Sequence, residues 1–407
     1  MLGSSMVVIP RFGFRIHVGV ACEQGARRAQ LQDAFMSVPE LGVFAVADGM
    51  GGLQAGDVAA QTALDEVRVA MASDTTHRIA ERYFEQPDLD SRRRMLERLR
   101  RVVERAHSRV RDVAAERGIA DGIGTTLDVA WLVRDEVFIA HVGDSRAYIV
   151  RTSAVLQLTE DHACSTTGRF AIAEPSTTRR QITTLVHAVG IGEQVHVDTL
   201  LLDLRRGDRL VLVTDGVWAA YDDELALGQT SRQGDASHAA GELVKLAKRI
   251  SFDDRTAVVI EIGQRFVRHS TNDSDAMAHD IAPLTESALF SGMAWPRILV
   301  ALSVAVYVEV EQGQCVPHRA TGDRVAYVVL EGLVKLADGR RLGSGATLFA
   351  ECLVGCDPTG EAPICEERVR AVRIRRDDFR EICLSDPILA ADLYRCLAEH
   401  LGRRLGR

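Results

Sequence analysis

The sequence predicts an α+β protein of two domains: packed antiparallel sheets flanked by helices, then a smaller β-roll with flanking helices. The chain has 407 residues, more than one hydrophobic core usually serves. Up to residue 262, short apolar strands alternate with long helical stretches. A polar, irregular stretch follows, and after it apolar strands return between glycine turns. We therefore predict domains at 12–262 and 284–407, joined by a linker at 263–283.

In the first domain, apolar residues at helical spacing predict a helix over 55–71 and a long charged helix over 90–117, which Gly118 ends. Alternating polar and apolar residues predict a half-buried strand at 15–21. Short apolar runs predict further strands at 42–47, 126–133, 137–142, 146–151, 209–213 and 256–262. Strands in close succession between long helices are typical of antiparallel sheets covered by helices.

In the second domain, an apolar run extends from Ile298 to Val310, and a predicted strand covers Ala326 to Leu330. Short strands separated by glycine turns follow, which indicates a small β-roll. The chain ends in a predicted helix, which Ser385 or Asp386 caps and in which Pro387 fits the first turn. One face of this helix comprises Leu389, Leu393, Cys396, Leu397, His400 and Leu401.

Composition argues against several classes of protein. The formal net charge is -8, so a basic face for nucleic acid is not expected. No apolar stretch reaches the ~20 residues that span a bilayer, and the segment from Met1 to Pro10 lacks the cationic head of a signal peptide. The 8 cysteines show no pairs at metal-site spacing, which favours reduced thiols. We predict no nucleic-acid partner, no membrane association and a cytoplasmic location.

Aspartates stand beside several of the predicted strands. Asp48 and Asp215 each end an apolar run and are followed by glycine. Asp144 follows a third apolar run, whereas Asp33 and Asp253 lie just before apolar segments. Buried carboxylates are costly unless they are paired or bind a cation, and Mg²⁺ and Mn²⁺ prefer oxygen ligands. The set therefore predicts a divalent-metal site where these side chains converge.

These aspartates belong to a series of motifs over residues 12–262 that resembles, in order, the metal-dependent serine/threonine phosphatases of the protein phosphatase 2C family. The metal motifs are Val46-Ala47-Asp48-Gly49-Met50-Gly51-Gly52, Val213-Thr214-Asp215-Gly216-Val217 and Asp253-Asp254-Arg255-Thr256. The other matching segments are Gly25 with Arg28 to Asp33, Gly124-Thr125-Thr126, His141 to Arg146, and Leu158 to His162.

The resemblance implies an αββα two-sheet sandwich with two Mn²⁺ or Mg²⁺ ions between the sheets. The metal ligands it implies are Asp48, the Gly49 carbonyl, Asp215 and Asp253, with Asp33 as a supporting catalytic residue and Asp144 at a third, looser metal site. Arg28 would hold the substrate phosphate, because its planar guanidinium suits two oxygens at once. A metal-activated water would then hydrolyse phosphoserine or phosphothreonine in a protein.

Some positions depart from the family pattern. Leu31 replaces the asparagine of the first motif, so hydrogen bonding must differ there. Met50 stands where some members carry a histidine, as in the bacterial branch, and Asp254 replaces the usual asparagine, which we interpret as a mild change. His141 and His162 are interpreted as structural residues.

The second domain resembles the cyclic-nucleotide-binding domain of bacterial regulators, and its best match runs from Ala326 to Gly332. The phosphate cassette of that family starts Phe-Gly-Glu and carries an arginine further on. Here it starts Phe349-Ala350-Glu351, and Glu351 would bond a ribose hydroxyl. Glu361 at the arginine position would repel a phosphate, which argues against cyclic-nucleotide binding. In those regulators the equivalent of the C-terminal helix pairs two chains, and packing on its own β-roll is the alternative.

We therefore predict a bacterial, metal-dependent serine/threonine protein phosphatase, which its sensor-like second domain regulates in signal transduction. Its partner would be a phosphoprotein substrate within a serine/threonine kinase pathway, and a homodimer through the C-terminal helix stays open. The alternative is a catalytically weak, phosphatase-like regulatory protein that binds phosphoproteins or an anti-sigma-type partner. The complete aspartate set argues against that alternative, whereas Leu31 and the unusual segment 163–185 keep it open. A ligand sensor whose output is assembly is a third hypothesis.

Overall fold

The computed structural model describes residues 5–9, 12–50, 55–119, 122–151, 154–166, 182–265, 276–320, 323–358 and 361–405. The chain divides into two units, Met1–His269 and Ser270–Arg407. A strand reaches Arg265 and a helix begins at Ala276, so regular structure extends into both ends of the stretch that the sequence predicts as a linker.

The first unit, in its described part, alternates strands with helices. Its strands are β1 (Ser5–Val8), β2 (Phe14–Glu23), β3 (Asp33–Val38), β4 (Val43–Met50), β5 (Gly124–Thr125), β6 (Leu127–Val133), β7 (Glu136–Val142), β8 (Arg146–Arg151), β9 (Ala154–Gln157), β10 (Ala163–Thr166), β11 (Ile182–Leu185), β12 (Asp198–Asp203), β13 (Arg209–Val213) and β14 (Arg255–Arg265). Its helices are α1 (Gly56–Met71), α2 (Asp74–Glu85), α3 (Leu89–Glu116), α4 (Asp215–Trp218), α5 (Glu224–Ser231) and α6 (Ala236–Ala247).

These strands form two main antiparallel sheets. One sheet has the order β1-β2-β14-β13-β8-β9, and the other has the order β12-β7-β6-β4-β3, with β5 paired to β4; β10 and β11 form a separate two-stranded sheet. Strands β2, β13 and β14 of the first sheet contact β3 or β4 of the second. Helices α1 and α3 pack on the second sheet, and α6 packs on the first. The predicted mixture of sheets and helices is therefore confirmed.

Helix α3 shows why the long elements form where they do. The Asp88 side chain accepts a hydrogen bond from the Ser91 N–H at 2.7 Å, and Ser91 Oγ accepts one from the Asp88 N–H at 2.9 Å. The two residues therefore form a reciprocal capping box at the start of the helix. Its buried face, Met95, Leu96, Leu99, Val102, Val103, Ala106 and Val110, follows helical spacing. Gly118, at φ 66°, lies just past its end, as the sequence predicts.

The second unit, in its described part, carries short strands and four helices. Its strands are β15 (Ala305–Val310), β16 (Arg319–Ala320), β17 (Asp323–Glu331), β18 (Val334–Lys335), β19 (Arg341–Leu342), β20 (Thr347–Leu348), β21 (Ile364–Cys365) and β22 (Val369–Arg375). Its helices are α7 (Ala276–Glu286), α8 (Trp295–Leu302), α9 (Arg376–Ser385) and α10 (Pro387–Leu405). One sheet has the order β15-β22-β17-β16 with β20 on β17, and the other has the order β19-β18-β21.

Helix α10 begins as the sequence predicts, with Asp386 rather than Ser385 as the cap. One Asp386 carboxylate oxygen accepts from the backbone N–H groups of Ile388 and Leu389, at 3.0 and 2.9 Å. The predicted apolar face contributes Leu389, Leu393, Cys396 and Leu397 to the hydrophobic core of this unit. These four side chains therefore pack within their own unit.

Candidate active site

Asp33 and Asp48 are brought together by strand pairing. Asp48 lies inside β4 rather than at its end, and the antiparallel register places it directly opposite Asp33 on β3. Residues so paired have their Cβ atoms about 5 Å apart on one face of the sheet. The threonines after Gly124 hold the Asp48 backbone: the Asp48 N–H donates to Thr126 Oγ1 at 2.9 Å, and Thr125 Oγ1 donates to the Asp48 carbonyl at 2.9 Å.

Gly49 follows Asp48 at a point where two backbones nearly touch. A Cβ at this position would lie 1.9 Å from the Gly56 carbonyl oxygen at the start of α1, so only glycine fits. The Gly49 N–H donates to the Gln32 carbonyl at 3.1 Å, which ties β4 to the first motif. The two glycines that follow Met50 in the predicted metal motif, Gly51 and Gly52, lie outside the described residues.

Thr214 connects the ends of three strands. Asp215 is the first residue of α4, directly after β13 and Thr214. The Thr214 hydroxyl donates to Asp33 Oδ2 at 2.8 Å and accepts from the Thr256 N–H of β14 at 3.0 Å. This link orients the Asp33 carboxylate beside Asp215. The sequence predicts no role for Thr214, although its place directly before Asp215 is the one signal that points to it.

Asp254 is a structural bridge rather than a metal ligand. It is buried, its Oδ1 accepts from the Gly25 N–H at 2.7 Å, and its Oδ2 accepts from the Gln32 N–H at 2.7 Å. Both carboxylate oxygens are therefore used to fix the segment that leads into Asp33. An asparagine offers one acceptor oxygen, so the change that we interpret as mild from the sequence adds a hydrogen bond here.

Arg28 and Asp253, predicted to bind phosphate and metal respectively, are paired with each other. Arg28 Nε donates to Asp253 Oδ1 at 2.6 Å, and Nη2 donates to Oδ2 at 2.8 Å. Arg28 Nη1 also donates to Gln32 Oε1 at 3.0 Å. The hydrogen bonds that Arg28 donates to Asp253 raise the pKa of the Arg28 guanidinium. Both side chains remain partly exposed, at 40% and 35%, so the pair lies at the mouth of the site.

The carboxyl groups at the centre of the site are crowded and buried. Burial raises the pKa of Asp33 to about 7. Burial, followed by the charges of Asp33 and Asp215, raises the pKa of Asp48 well above its usual range, and Asp253 adds to this effect. Burial and then the charge of Asp253 raise the pKa of Asp215. The structure thus brings together the predicted Asp33, Asp48, Asp215 and Asp253.

Asp144 lies on the α4 side of the same cluster. Trp218 Nε1 donates to the Asp144 carbonyl at 2.8 Å, and the Arg146 guanidinium lies 3.4 Å over the Trp218 ring. Burial, with the charge of Asp215, raises the pKa of Asp144 to about 6. Asp144 is therefore close enough to Asp215 for their charges to interact.

The donor set fits hard divalent cations. Asp33 Oδ1 and Asp215 Oδ1 are buried and have no hydrogen-bond partner among the described residues. The convergent side chains offer oxygen atoms only, which are the ligands that Mg²⁺ and Mn²⁺ prefer. A cation would also relieve the repulsion that raises the pKa values of these carboxyl groups.

Three other residues that the sequence singles out are placed as follows. His141 is buried and hydrogen-bonded at both ring nitrogens, to Asp128 and to the Glu160 carbonyl, which matches its structural interpretation. Glu351 lies in the second unit, in a short 3₁₀ turn at Ala350–Cys352. Glu361, in the same unit, is exposed to solvent. Of the predicted substrate-facing segment 163–185, residues 167–181 lie outside the described part of the chain.

Replacing Asp254 by asparagine is expected to lower the free energy of unfolding by about 1–3 kcal/mol, because one buried backbone N–H would lose its acceptor. Urea denaturation of the wild type and the variant would measure this. Asp112→Asn, on the exposed face of α3, is the matched control and should change stability by less than about 0.5 kcal/mol. An Asp254→Asn midpoint equal to that of the wild type would contradict the bridging role.

Comparison with known proteins gives one family model, described as protein phosphatase 2C, which matches residues 24–246. The serine/threonine phosphatase stp of Listeria welshimeri is 32% identical over 176 residues, which cover 42% of this chain and 65% of the Listeria protein. The chain thus spans a little less than two thirds of that relative. The serine/threonine protein phosphatase PstP of Mycobacterium tuberculosis is 27% identical over 242 residues, 58% of this chain and 43% of that protein.

Among solved structures, the Mycobacterium tuberculosis serine/threonine phosphatase PstP/Ppp covers 61% of this chain and 99% of its own, with a TM-score of 0.50 and 24% sequence identity. This similarity shows a shared fold. No helix in the described part of the chain is long and apolar enough to cross a membrane.

Proposed function

Because the chain belongs to the protein phosphatase 2C family, whose cofactors are Mn²⁺ or Mg²⁺, we propose that it hydrolyses phosphoserine and phosphothreonine in proteins. The observation that carries this proposal is the convergence of the buried Asp33 with the partly buried Asp48, Asp215 and Asp253 in one cluster. When bound, the ions supply the acidification that makes water a nucleophile near neutral pH.

Each residue of the cluster would have a distinct role in binding the ions. Asp48, the Gly49 carbonyl, Asp215 and Asp253 would hold two ions, Asp33 would support them, and Asp144 would serve a third. The hydrogen bond from Thr214 engages Asp33 Oδ2, which leaves the buried Oδ1 available as a metal donor. The hydrogen bond from Trp218 fixes the turn that carries Asp144.

Arg28 receives the substrate phosphate. In the structure its Nε and Nη2 atoms engage two oxygens of one carboxylate, the same paired geometry in which a guanidinium binds a phosphate. If Asp253 served as a metal ligand, the Arg28 guanidinium would be free to bind the phosphate at the mouth of the site. Met50 has no acidic proton, so the leaving oxygen of serine or threonine takes its proton from water.

The proposed architecture is an αββα sandwich over residues 12–262. The contacts of α1 and α3 with one sheet, of α6 with the other, and of the sheets with each other support it. The linker at 263–283 leads to a regulatory β-roll at 284–407, supported by the short antiparallel strands around β17 and β22.

The regulatory domain is proposed to bind a ligand other than a cyclic nucleotide. Glu361 is exposed in the loop that would face the phosphate. Arg324 reaches this loop by donating to the Gly355 carbonyl at 2.6 Å, but it is paired with Asp357 at 3.1 Å. That carboxylate competes with any phosphate for the Arg324 charge, while Glu351 remains the candidate ligand contact.

The proposed setting is bacterial signalling in the cytoplasm, opposite a serine/threonine kinase. The free cysteines among the described residues support a reducing compartment. A homodimer through α10 remains part of the proposal, since Ile388 and Tyr394 on this helix are 60% and 45% exposed.

The proposal predicts Mn²⁺-dependent hydrolysis of p-nitrophenyl phosphate and of phosphothreonine peptides, which phosphate release would measure. Asp215→Ala should abolish turnover, because it removes a carboxylate from the centre of the cluster. Asp112→Asn serves as the surface control and should retain full turnover. Peptide binding without hydrolysis by the wild type, at any Mn²⁺ concentration, would contradict the proposal and favour a phosphoprotein-binding protein.

A further inference from the structure

A histidine cluster at the edge of the second sheet has no part in the proposed phosphatase chemistry. The His162 ring centroid lies 5.4 Å from that of His196 and 5.6 Å from that of His187, and the centroids of His187 and His196 are 5.5 Å apart. Asp198 begins the edge strand β12, where it pairs with His141 of β7. Strand pairing therefore fixes the position of Asp198 beside the imidazole rings.

Asp198 is the centre of this cluster. Its Oδ2 lies 3.1 Å from His162 Nε2, and its Oδ1 lies 2.9 Å from His196 Nε2. Ligand atoms of the three residues all lie within 4.8 Å of one another. The exposed fractions of the side chains are 7% for His162, 20% for Asp198 and 35% for His196, so the group is open to solvent on the His196 side.

We propose that His162, His196 and Asp198 form a binding site for one transition-metal ion of the Zn²⁺ class. Imidazole nitrogen and carboxylate oxygen are ligands that Zn²⁺ accepts at about 2.0–2.2 Å, which puts tetrahedral ligands about 3.3 Å apart. His162 Nε2 and His196 Nε2 each lie near this separation from a different oxygen of Asp198, at 3.1 and 2.9 Å. His187, whose ring lies against both histidines, is placed to supply a fourth ligand or to shield the ion.

The chemistry of this site differs from that of the aspartate cluster. The aspartate cluster offers only oxygen and suits Mg²⁺ or Mn²⁺, whereas two imidazoles favour borderline ions such as Zn²⁺, Co²⁺ or Ni²⁺. The chain would therefore bind two chemical classes of ion at two places in the same unit. Excess Mg²⁺ can keep the first site occupied while the second is measured.

Metal binding at the histidine site would change the backbone next to Asp144. The Gly143 N–H donates to His162 Nδ1 at 3.3 Å, so this geometry places the His162 proton on Nε2. A metal ligated by Nε2 requires the proton on Nδ1, and the contact with Gly143 must then open. The bond is long, so its loss costs little, but Gly143 directly precedes Asp144. Metal binding would thus alter the turn that carries the proposed third-ion ligand.

Equilibrium dialysis against Zn²⁺ in excess Mg²⁺, followed by metal analysis, tests the site without reference to catalysis. The wild type is expected to hold one more zinc ion than His196→Ala. His196 is partly exposed, so this substitution does not alter the hydrophobic core. Circular dichroism would check that the fold is retained. His238→Ala, at an exposed histidine on α6, is the matched control and should bind zinc like the wild type.

Substitution of Co²⁺ for Zn²⁺ gives a second readout, the visible absorption of four-coordinate cobalt. The bands should appear in the wild type and in His238→Ala and be absent from His196→Ala and His196→Gln. Equal zinc content in the wild type and both His196 variants, or no zinc in the wild type beyond that of His196→Ala, would overturn the proposal.

Discussion

Replacing Asp48 by asparagine is expected to reduce kcat/KM for phosphopeptide hydrolysis by about a thousandfold or more. The loss of one ligand from a two-ion site removes several kcal/mol of transition-state stabilisation, and each 1.36 kcal/mol is about a factor of ten. Steady-state kinetics at saturating Mn²⁺ would measure the change. Asp112→Asn, the exposed control, should leave kcat/KM unchanged.

The same variant is expected to be at least as stable as the wild type when both are prepared without divalent ions. Burial and the charges of Asp33 and Asp215 raise the pKa of Asp48, so the fold disfavours its charged form. An asparagine keeps the shape and can donate to Asp215 through its amide, while one repulsive charge disappears. Thermal unfolding of the two proteins tests this. A variant that loses activity and also unfolds far below the wild type would show a structural role for Asp48.

The wild type prepared without divalent ions should lose stability as the pH rises from about 4 to about 7. Burial raises the pKa of Asp33 to about 7, whereas the same group in an unfolded chain titrates near 4. The folded protein therefore binds more protons across this window, and its free energy of unfolding falls as the pH rises. Asp144, with a pKa raised to about 6, contributes in the same direction.

Divalent ions should reverse this loss, and the gain should grow with pH. At a concentration of 100 times the dissociation constant, an ion adds about 2.7 kcal/mol, which corresponds to roughly 5–10 °C in Tm for a domain of this size. At pH near 5, protons compete for the same oxygens, so the shift should be much smaller. Differential scanning calorimetry with and without Mg²⁺ at both pH values measures it. An equal shift at the two pH values would contradict the assignment of these carboxyl groups as ligands.

The sequence predicts the strands well where apolar runs are continuous. The predicted strands at 146–151 and 209–213 coincide with β8 and β13. Helix α2 was not predicted, because its buried residues are only Thr76, Ala80 and Tyr83, too few and too polar for a clear apolar stripe. The sequence predicts a linker where most of helix α7 forms, since polar residues precede it and Pro283 lies inside it.

The site could be predicted in part. Motif order identifies Asp48, Asp215 and Asp253, but only the register of β3 against β4 shows that Asp33 faces Asp48. The pairing of Arg28 with Asp253 depends on a contact between residues 225 positions apart, which no local pattern records.

The histidine cluster was missed for the same reason. His162 and His196 meet across Asp198 only after β12 joins β7. Each of the two histidines, taken alone in the sequence, resembles an ordinary structural histidine.

The position of β14 has a consequence for how the first unit is assembled during synthesis. This strand is the last of its sheet to leave the ribosome, yet it is inserted between β2 and β13, which come earlier in the chain. Asp254, just before β14, also accepts a hydrogen bond from the N–H of Gly25, 229 residues earlier in the chain. Closing such a long loop is slow and must wait for the whole unit. A partly synthesised chain therefore cannot complete the aspartate cluster until translation has passed β14.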